Sequence, residues 1–346
     1  MVWKIILAIL FFGLMILVHE LGHFATARIF KVGVNEFSIG MGPKIISRKG
    51  KKTGTSYSIR ALPIGGFVSL VGEDEENDRE DALNNKPWWQ RLIILFAGSF
   101  MNILTAILAM FILLSFTPFY PSTYIADRED YAVIEDSVLA DYGVMDMDKI
   151  VEIDGEKMNV WQDISYKIMT DGTEPLDIVI ERKGERILLE DVQFKTEEVE
   201  GIICGVVDFY PLYVRRSVWT LIKEAFFQSF STVKMIISSF ADLFSGKYGL
   251  EAVSGPVGTV EVIAESASQG IKPLLYLFVF ISMNLGVVNL FPFPALDGGR
   301  IVFVILEAIR KKPLKPSTEG IIHAVGMVIL LIFMGVILVS DVLKLI

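Results

Sequence analysis

Val18-His19-Glu20-Leu21-Gly22-His23-Phe24 ends an apolar run that begins at residue 2, and its reading decides the rest of the chain. On an α-helix, residues four apart stand one turn apart on the same face. His19 and His23 can therefore aim two imidazoles at one point, with Glu20 beside them facing a bound water. Two nitrogen ligands, a third ligand from elsewhere and a carboxylate general base make up a zincin site. The bland alternative is a polar patch at the end of a membrane helix. Two observations weigh against it. The chain has 3 histidines, and two of them stand here. Burying His, Glu and His against an apolar run is also costly unless a function retains them. The motif implies Zn2+ held at the end of a membrane helix.

Composition supports the membrane setting. Of 346 residues, 52% are hydrophobic, and the mean hydropathy of +0.51 is too high for one soluble domain of this length. The net charge of −9 is concentrated in one region and says little about partners. With no basic tract carrying interleaved aromatics, nothing points to nucleic acid. The single Cys204 excludes an internal disulfide and a thiolate zinc cluster.

The expected fold is a polytopic α-helical membrane protein of about four transmembrane helices, with a membrane-associated β-loop and an inserted α+β domain. Residues 1–30 form the first span. A basic residue, an apolar core and Ala25-Thr26-Ala27 imitate a secretory signal, but cleavage there would discard both motif histidines. Residues 31–90 follow as a loop of short, glycine-broken strands and an acidic, solvated run at 72–81. Residues 91–118 are the second span, which carries Gly98, Ser99 and Asn102 in an otherwise apolar helix. Residues 121–210 hold 23 Asp/Glu against 8 Lys/Arg, with alternating strands and turns, and read as a soluble domain. Residues 215–246 are amphipathic and aromatic, suited to lying on the bilayer. Residues 272–299 and 320–346 are the third and fourth spans. Residues 28–91 contain 11 Lys/Arg, so this loop should be cytoplasmic. Both termini and the 121–210 domain are then extracytoplasmic.

A third ligand is needed. Ile29 stands where a metzincin would have its third histidine. His323 opens the fourth span and reads as an interfacial histidine. Asp297, in Asn289-Leu290-Phe291-Pro292-Phe293-Pro294-Ala295-Leu296-Asp297-Gly298-Gly299, is the better candidate. It follows an apolar helix broken by prolines, at the membrane depth of the two histidines, where a carboxylate needs a cation. Taken alone, Asp-Gly there reads equally well as a turn.

The two motifs together resemble the site-2 protease family of intramembrane zinc metalloproteases, in its bacterial, PDZ-containing, regulator-of-sigma branch. Residues 137–144 and 148–155 are similar to PDZ signatures, although Val138 and Met147 depart from the usual proline and glycine, and Ser99 from a usual proline. The resemblance implies that His19, His23 and Asp297 hold Zn2+ and that Glu20 is the general base. Asn289 and Asn102 are candidates for the oxyanion or the substrate backbone. The implied substrates are single-span membrane proteins in the bacterial cytoplasmic membrane, namely anti-sigma factors and remnant signal peptides, already trimmed by a site-1-type protease. The β-loop offers an edge on which an unwound substrate strand can pair. The alternative is a non-enzymatic metal-binding transporter or sensor, whose broken helices can look similar. Glu20 speaks against it, since a mere metal site has no use for a base.

The orientation is testable with Cys204 changed to serine. Lys51→Cys should resist a membrane-impermeant thiol reagent in sealed cells, whereas Lys183→Cys should react. Labelling at position 51 would reverse the topology.

Overall fold

A computed structural model describes residues 2–51, 53–73, 77–126, 137–199, 202–247, 249, 253–312 and 316–344. Residues 74–76 of the acidic run and Lys315 lie outside the described residues. In chain order the elements are α1 (Val2–Ile29), β1 (Val34–Lys49), β2 (Ser56–Leu70), α2 (Trp88–Ser115) and β3 (Phe119–Ile125). Next come α3 (Val138–Asp141), β4 (Lys149–Ile153), β5 (Glu156–Lys157), α4 (Trp161–Asp171), β6 (Leu176–Arg182) and β7 (Glu185–Val192). After these come β8 (Thr196–Val199), β9 (Ile202–Gly205), β10 (Pro211–Arg215) and α5 (Val218–Ser245). The chain ends with α6 (Pro256–Gln269), α7 (Ile271–Val288), α8 (Asp297–Arg310) and α9 (Pro316–Lys344). Two compact units result, Met1–Ala109 with Gly249–Ile346, and Met110–Tyr248.

Among the described residues, four helices are long and apolar enough to cross a membrane: Val2–Ile29, Trp88–Ser115, Ile271–Val288 and Thr318–Leu343. The count agrees with the sequence. Within the segment 272–299, α7 stops at Val288, because Pro292 and Pro294 cannot continue it, and Asp297 opens the separate helix α8.

Within the first unit, helices approach at small residues, as bilayer packing requires. A Cβ on Gly22 of α1 would lie 2.3 Å from the Ala97 carbonyl oxygen of α2. One on Gly286 of α7 would lie 3.0 Å from the Ser99 carbonyl oxygen. The start of α6 is capped from α9: Asp341 accepts the N–H groups of Gly255, Val257 and Gly258 at 3.0, 3.1 and 3.1 Å. That satisfies donors a helix start leaves unpaired.

The β-element is longer than the short strands expected. β1 and β2 run 16 and 15 residues and fold back on themselves. The bends fall at Gly40, Gly42 and Gly65, with φ of 85°, 82° and 79°, which glycine adopts without a steric penalty. Phe37 consequently pairs with Val68 on one side and Tyr57 on the other. Residues 66–70 are left at one margin of the sheet.

In the second unit a sheet of order β10-β3-β4-β6-β7, with β5 beside β4, encloses a core of Ile125, Leu139, Ile150, Ile153, Ile164 and Ile178. α5 is fixed to this unit by Lys234–Glu156 at 3.2 Å and Lys247–Asp171 at 2.9 Å. Its opposite face leaves Trp219, Phe226, Phe230 and Phe244 exposed at helical spacing.

Asp148 is buried and paired with Arg182, which donates from Nε and Nη2 at 2.8 and 2.6 Å. Burial pushes its carboxyl up, but Arg182 and the Met145 N–H outweigh that and hold it below the usual carboxylate range. The stabilisation is present above the unfolded value of about 3.9 and is lost as pH falls through the lower folded one. Arg182→Ala removes the cation from this carboxylate, leaves it the Met145 N–H, and should destabilise this unit at neutral pH. Amide exchange should quicken in β4 and β6 and stay unchanged in α1; unaltered protection in β4 would contradict this.

Candidate metal centre

Three donor atoms converge from two helices. Nε2 of His19 and Nε2 of His23 are 3.2 Å apart, and Oδ2 of Asp297 lies 3.1 Å from the first and 3.3 Å from the second. His19, His23 and Asp297 are the group of potential ligands that the described residues bring together. Each distance suits one edge of a tetrahedron around zinc, for which bonds of about 2.0–2.1 Å put ligand atoms about 3.3 Å apart. Asp297 Oδ2 is buried with no hydrogen-bond partner, as expected of an atom reserved for a cation. The residues present therefore fit the metal.

The outer nitrogens are arranged to match. His23 Nδ1 donates to the Ile94 carbonyl at 2.8 Å, which leaves the Nε2 lone pair pointing inward. His19 Nδ1 stands 3.3 Å from the Asn102 side-chain amide. With His19 Nε2 used as a ligand, Nδ1 carries the proton and needs an acceptor. Turning the amide supplies Oδ1 of Asn102, an atom otherwise buried without a partner. Asn102 is thus brought to the site, behind a histidine. Asn289 ends α7, and its carbonyl accepts the Gly298 N–H at 2.7 Å, tying the start of α8 to the end of α7. The contacts of Asn289 in the structure are those of its backbone.

Glu20 projects from the same turn of α1. Its Oε2 accepts the Val68 N–H at 2.9 Å, so it touches the marginal strand of the sheet. A Cβ on Gly66 would be 2.7 Å from the Ser38 carbonyl oxygen, so glycine there lets this margin lie close against β1.

Two contributors escaped the sequence reading. His323 is not merely interfacial: its Nδ1 accepts the Ala295 N–H at 2.9 Å and supports the loop before Asp297. A lone histidine in a helix otherwise apolar was the signal. Gly98 was read as a packing residue, but a Cβ there would be 2.2 Å from His23 Nε2 and 2.7 Å from His19 Nε2. The backbone of α2 lies directly against both imidazoles.

The profile of Peptidase family M50 matches residues 7–333. The chain belongs to that family. This M50 chain is 40% identical over 350 residues to the Fusobacterium nucleatum protein named "Putative zinc metalloprotease FN1322", covering 98% of each. It is 29% identical over 421 residues to zinc metalloprotease RasP of Geobacillus kaustophilus, covering 99% of this chain and 98% of the relative. It is 26% identical over 422 residues to regulator of sigma-W protease RasP of Bacillus subtilis, covering 99% and 98%. The site-2 protease resemblance of the two motifs thus holds along the chain. The M50 chain is a zinc metalloprotease and, with four apolar helices, a multi-pass membrane protein. The transporter alternative falls away.

Since Ile94 and Asn102 hold both imidazoles in place, they cannot yield to a methyl group at position 98. Gly98→Ala should lower zinc retention on the order of tenfold or more with the helices intact. Metal analysis after a chelator challenge, beside circular dichroism, checks it; undiminished zinc would show that α2 gives way instead.

Proposed function

We propose that this chain is an intramembrane-cleaving protease in which His19, His23 and Asp297 hold zinc and Glu20 is the general base. The observation that carries the proposal is the triangle of Nε2, Nε2 and Oδ2 with edges of 3.1–3.3 Å beside a carboxylate. Bound there, zinc supplies acidification of a water and polarisation of a peptide carbonyl. Glu20 takes the water's proton as the water oxygen bonds to the carbonyl carbon. It then delivers that proton to the amine nitrogen as the C–N bond breaks. The Val68 N–H on Oε2 holds Glu20 in one orientation and leaves Oε1 for proton transfer.

A transmembrane substrate hides its amides in its own helix and must unwind to be cut. Val68 turns its N–H away from β1, and in an antiparallel ladder its carbonyl faces the same way. An unwound substrate strand pairs along this margin, with its scissile bond beside Glu20. Asn289 binds the substrate backbone or the oxyanion; Asn102 acts by holding His19.

The substrates are single-span proteins whose outer part an earlier protease has removed: anti-sigma factors, as the printed name of the Bacillus subtilis relative suggests, and signal-peptide remnants. Residues 121–210 form a PDZ-like extracytoplasmic domain. Supporting this are Ser137 capping α3, the β4–β5 turn at Asp154-Gly155 and the placement of α4 against β9. α5 lies on the bilayer through its exposed aromatic face. Residues 31–90 face the cytoplasm.

Glu20→Gln should keep about one zinc per chain yet lose roughly 100-fold or more of its cleavage, because the base is not a ligand. Asp297→Ala should lose zinc and cleavage together. Zinc analysis of both proteins, with a search for accumulated stubs in Glu20→Gln membranes, decides the matter. Full zinc and normal cleavage in Asp297→Ala would remove that residue from the site.

A further inference from the structure

Asp297 is the first residue of α8, so whatever fixes α8 fixes the proposed third ligand. Two ion pairs do so. Arg300, one turn on from Asp297, donates from Nη1 to Glu73 Oε1 at 2.6 Å. Glu307, two turns beyond Arg300 and so on the same face, pairs with Arg91 at the start of α2. The second pair joins helix to helix. The first reaches further, because Glu73 uses both carboxylate oxygens: its Oε2 accepts the Leu70 N–H at 3.1 Å. Leu70 and Val68 are alternate residues of one strand, so their N–H groups leave the same side of it. Val68 holds Glu20 and Leu70 holds Glu73. One strand margin therefore carries the proposed base directly and the proposed aspartate ligand through two side chains.

We infer that Glu73 and Arg300 are positioning residues for the metal centre, setting Asp297 against His19, His23 and Glu20 by tying α8 to the strand margin at Leu70. This rests on the metal reading above. An exposed ion pair would be worth little to stability. Here Arg300 and Glu73 are only 27% and 19% exposed, and both ends are anchored in elements that carry site residues. Arg300 makes its contact through one nitrogen, which a lysine can imitate.

The test uses full-length protein in detergent, with three measurements. These are the rate of zinc loss to excess chelator, the melting temperature of the metal-free form, and kcat and KM on a transmembrane-segment peptide. Glu73→Gln and Arg300→Ala should each speed zinc loss about tenfold and lower kcat by a similar factor with KM little changed. Arg300→Lys should recover most of both. The melting temperature of the metal-free form should stay near that of the natural chain. Zinc loss at the natural rate in both variants would overturn the inference. So would a melting temperature that falls in step with zinc retention, or a lysine variant no better than alanine. Failure of the natural chain and Glu20→Gln alike to hold zinc would instead overturn the metal reading itself.

Discussion

Three atoms with lone pairs, two imidazole nitrogens and a carboxylate oxygen, lie within 3.1–3.3 Å of one another among apolar helices. In such a setting they repel unless a cation or protons stand between them, and desolvation raises that cost. Much of the first unit can be read as a response. The Ile94 carbonyl and Asn102 fix which nitrogen of each ring faces inward. Gly98 removes the side chain that would fill the space beside them. Gly22 lets α1 and α2 approach closely enough for that backbone contact.

The same requirement explains the mixture of architectures. A spanning helix can present His19 and His23 a turn apart, but it cannot also expose backbone amides for a substrate, because its own are consumed. A sheet margin can. The margin at residues 66–70 lies beside Glu20, and its Val68 and Leu70 N–H groups are held by Glu20 and Glu73. The second unit holds none of the three converging donors. Its core of isoleucines and its buried Asp148–Arg182 pair are self-sufficient, which is why its composition differs so sharply from the rest.

Much of this was legible in the residues. That His19 and His23 face one point follows from helical period; Asp297, equally readable as a turn residue when taken alone, becomes their candidate partner only beside that pair. The four spans follow from length and hydropathy. The segment 272–299 divides where its prolines dictate, with α7 ending at Val288 and α8 opening at Asp297. The length of β1 and β2 was hidden because glycines that punctuate a sequence can bend a strand without ending it. Gly98 and Glu73 were invisible in their roles, since each acts on residues far away in the chain, and a single sequence does not show which elements face each other.

The stretch between α7 and α8 shows how the break between two helices can satisfy its backbone. Irregular backbone there must account for each donor. Asn289, Leu290 and Phe291 donate to Leu285, Val287 and Val288 carbonyls, Phe293 to Phe291, and Leu296 to Phe293. Pro292 and Pro294 have no donor to satisfy. Ala295 is held at φ 85°, and its N–H goes to a side chain, His323 Nδ1 of α9. That assigns a physical reason to the third histidine. A serine or asparagine could accept the same bond, but imidazole also brings a ring that packs edge-on against Phe303 of α8, with centroids 5.4 Å apart. His323 thus closes the polar account of the loop and the apolar contact of the helix after it with one side chain. The prolines that break the span and the histidine that repairs it are two parts of one solution for placing Asp297.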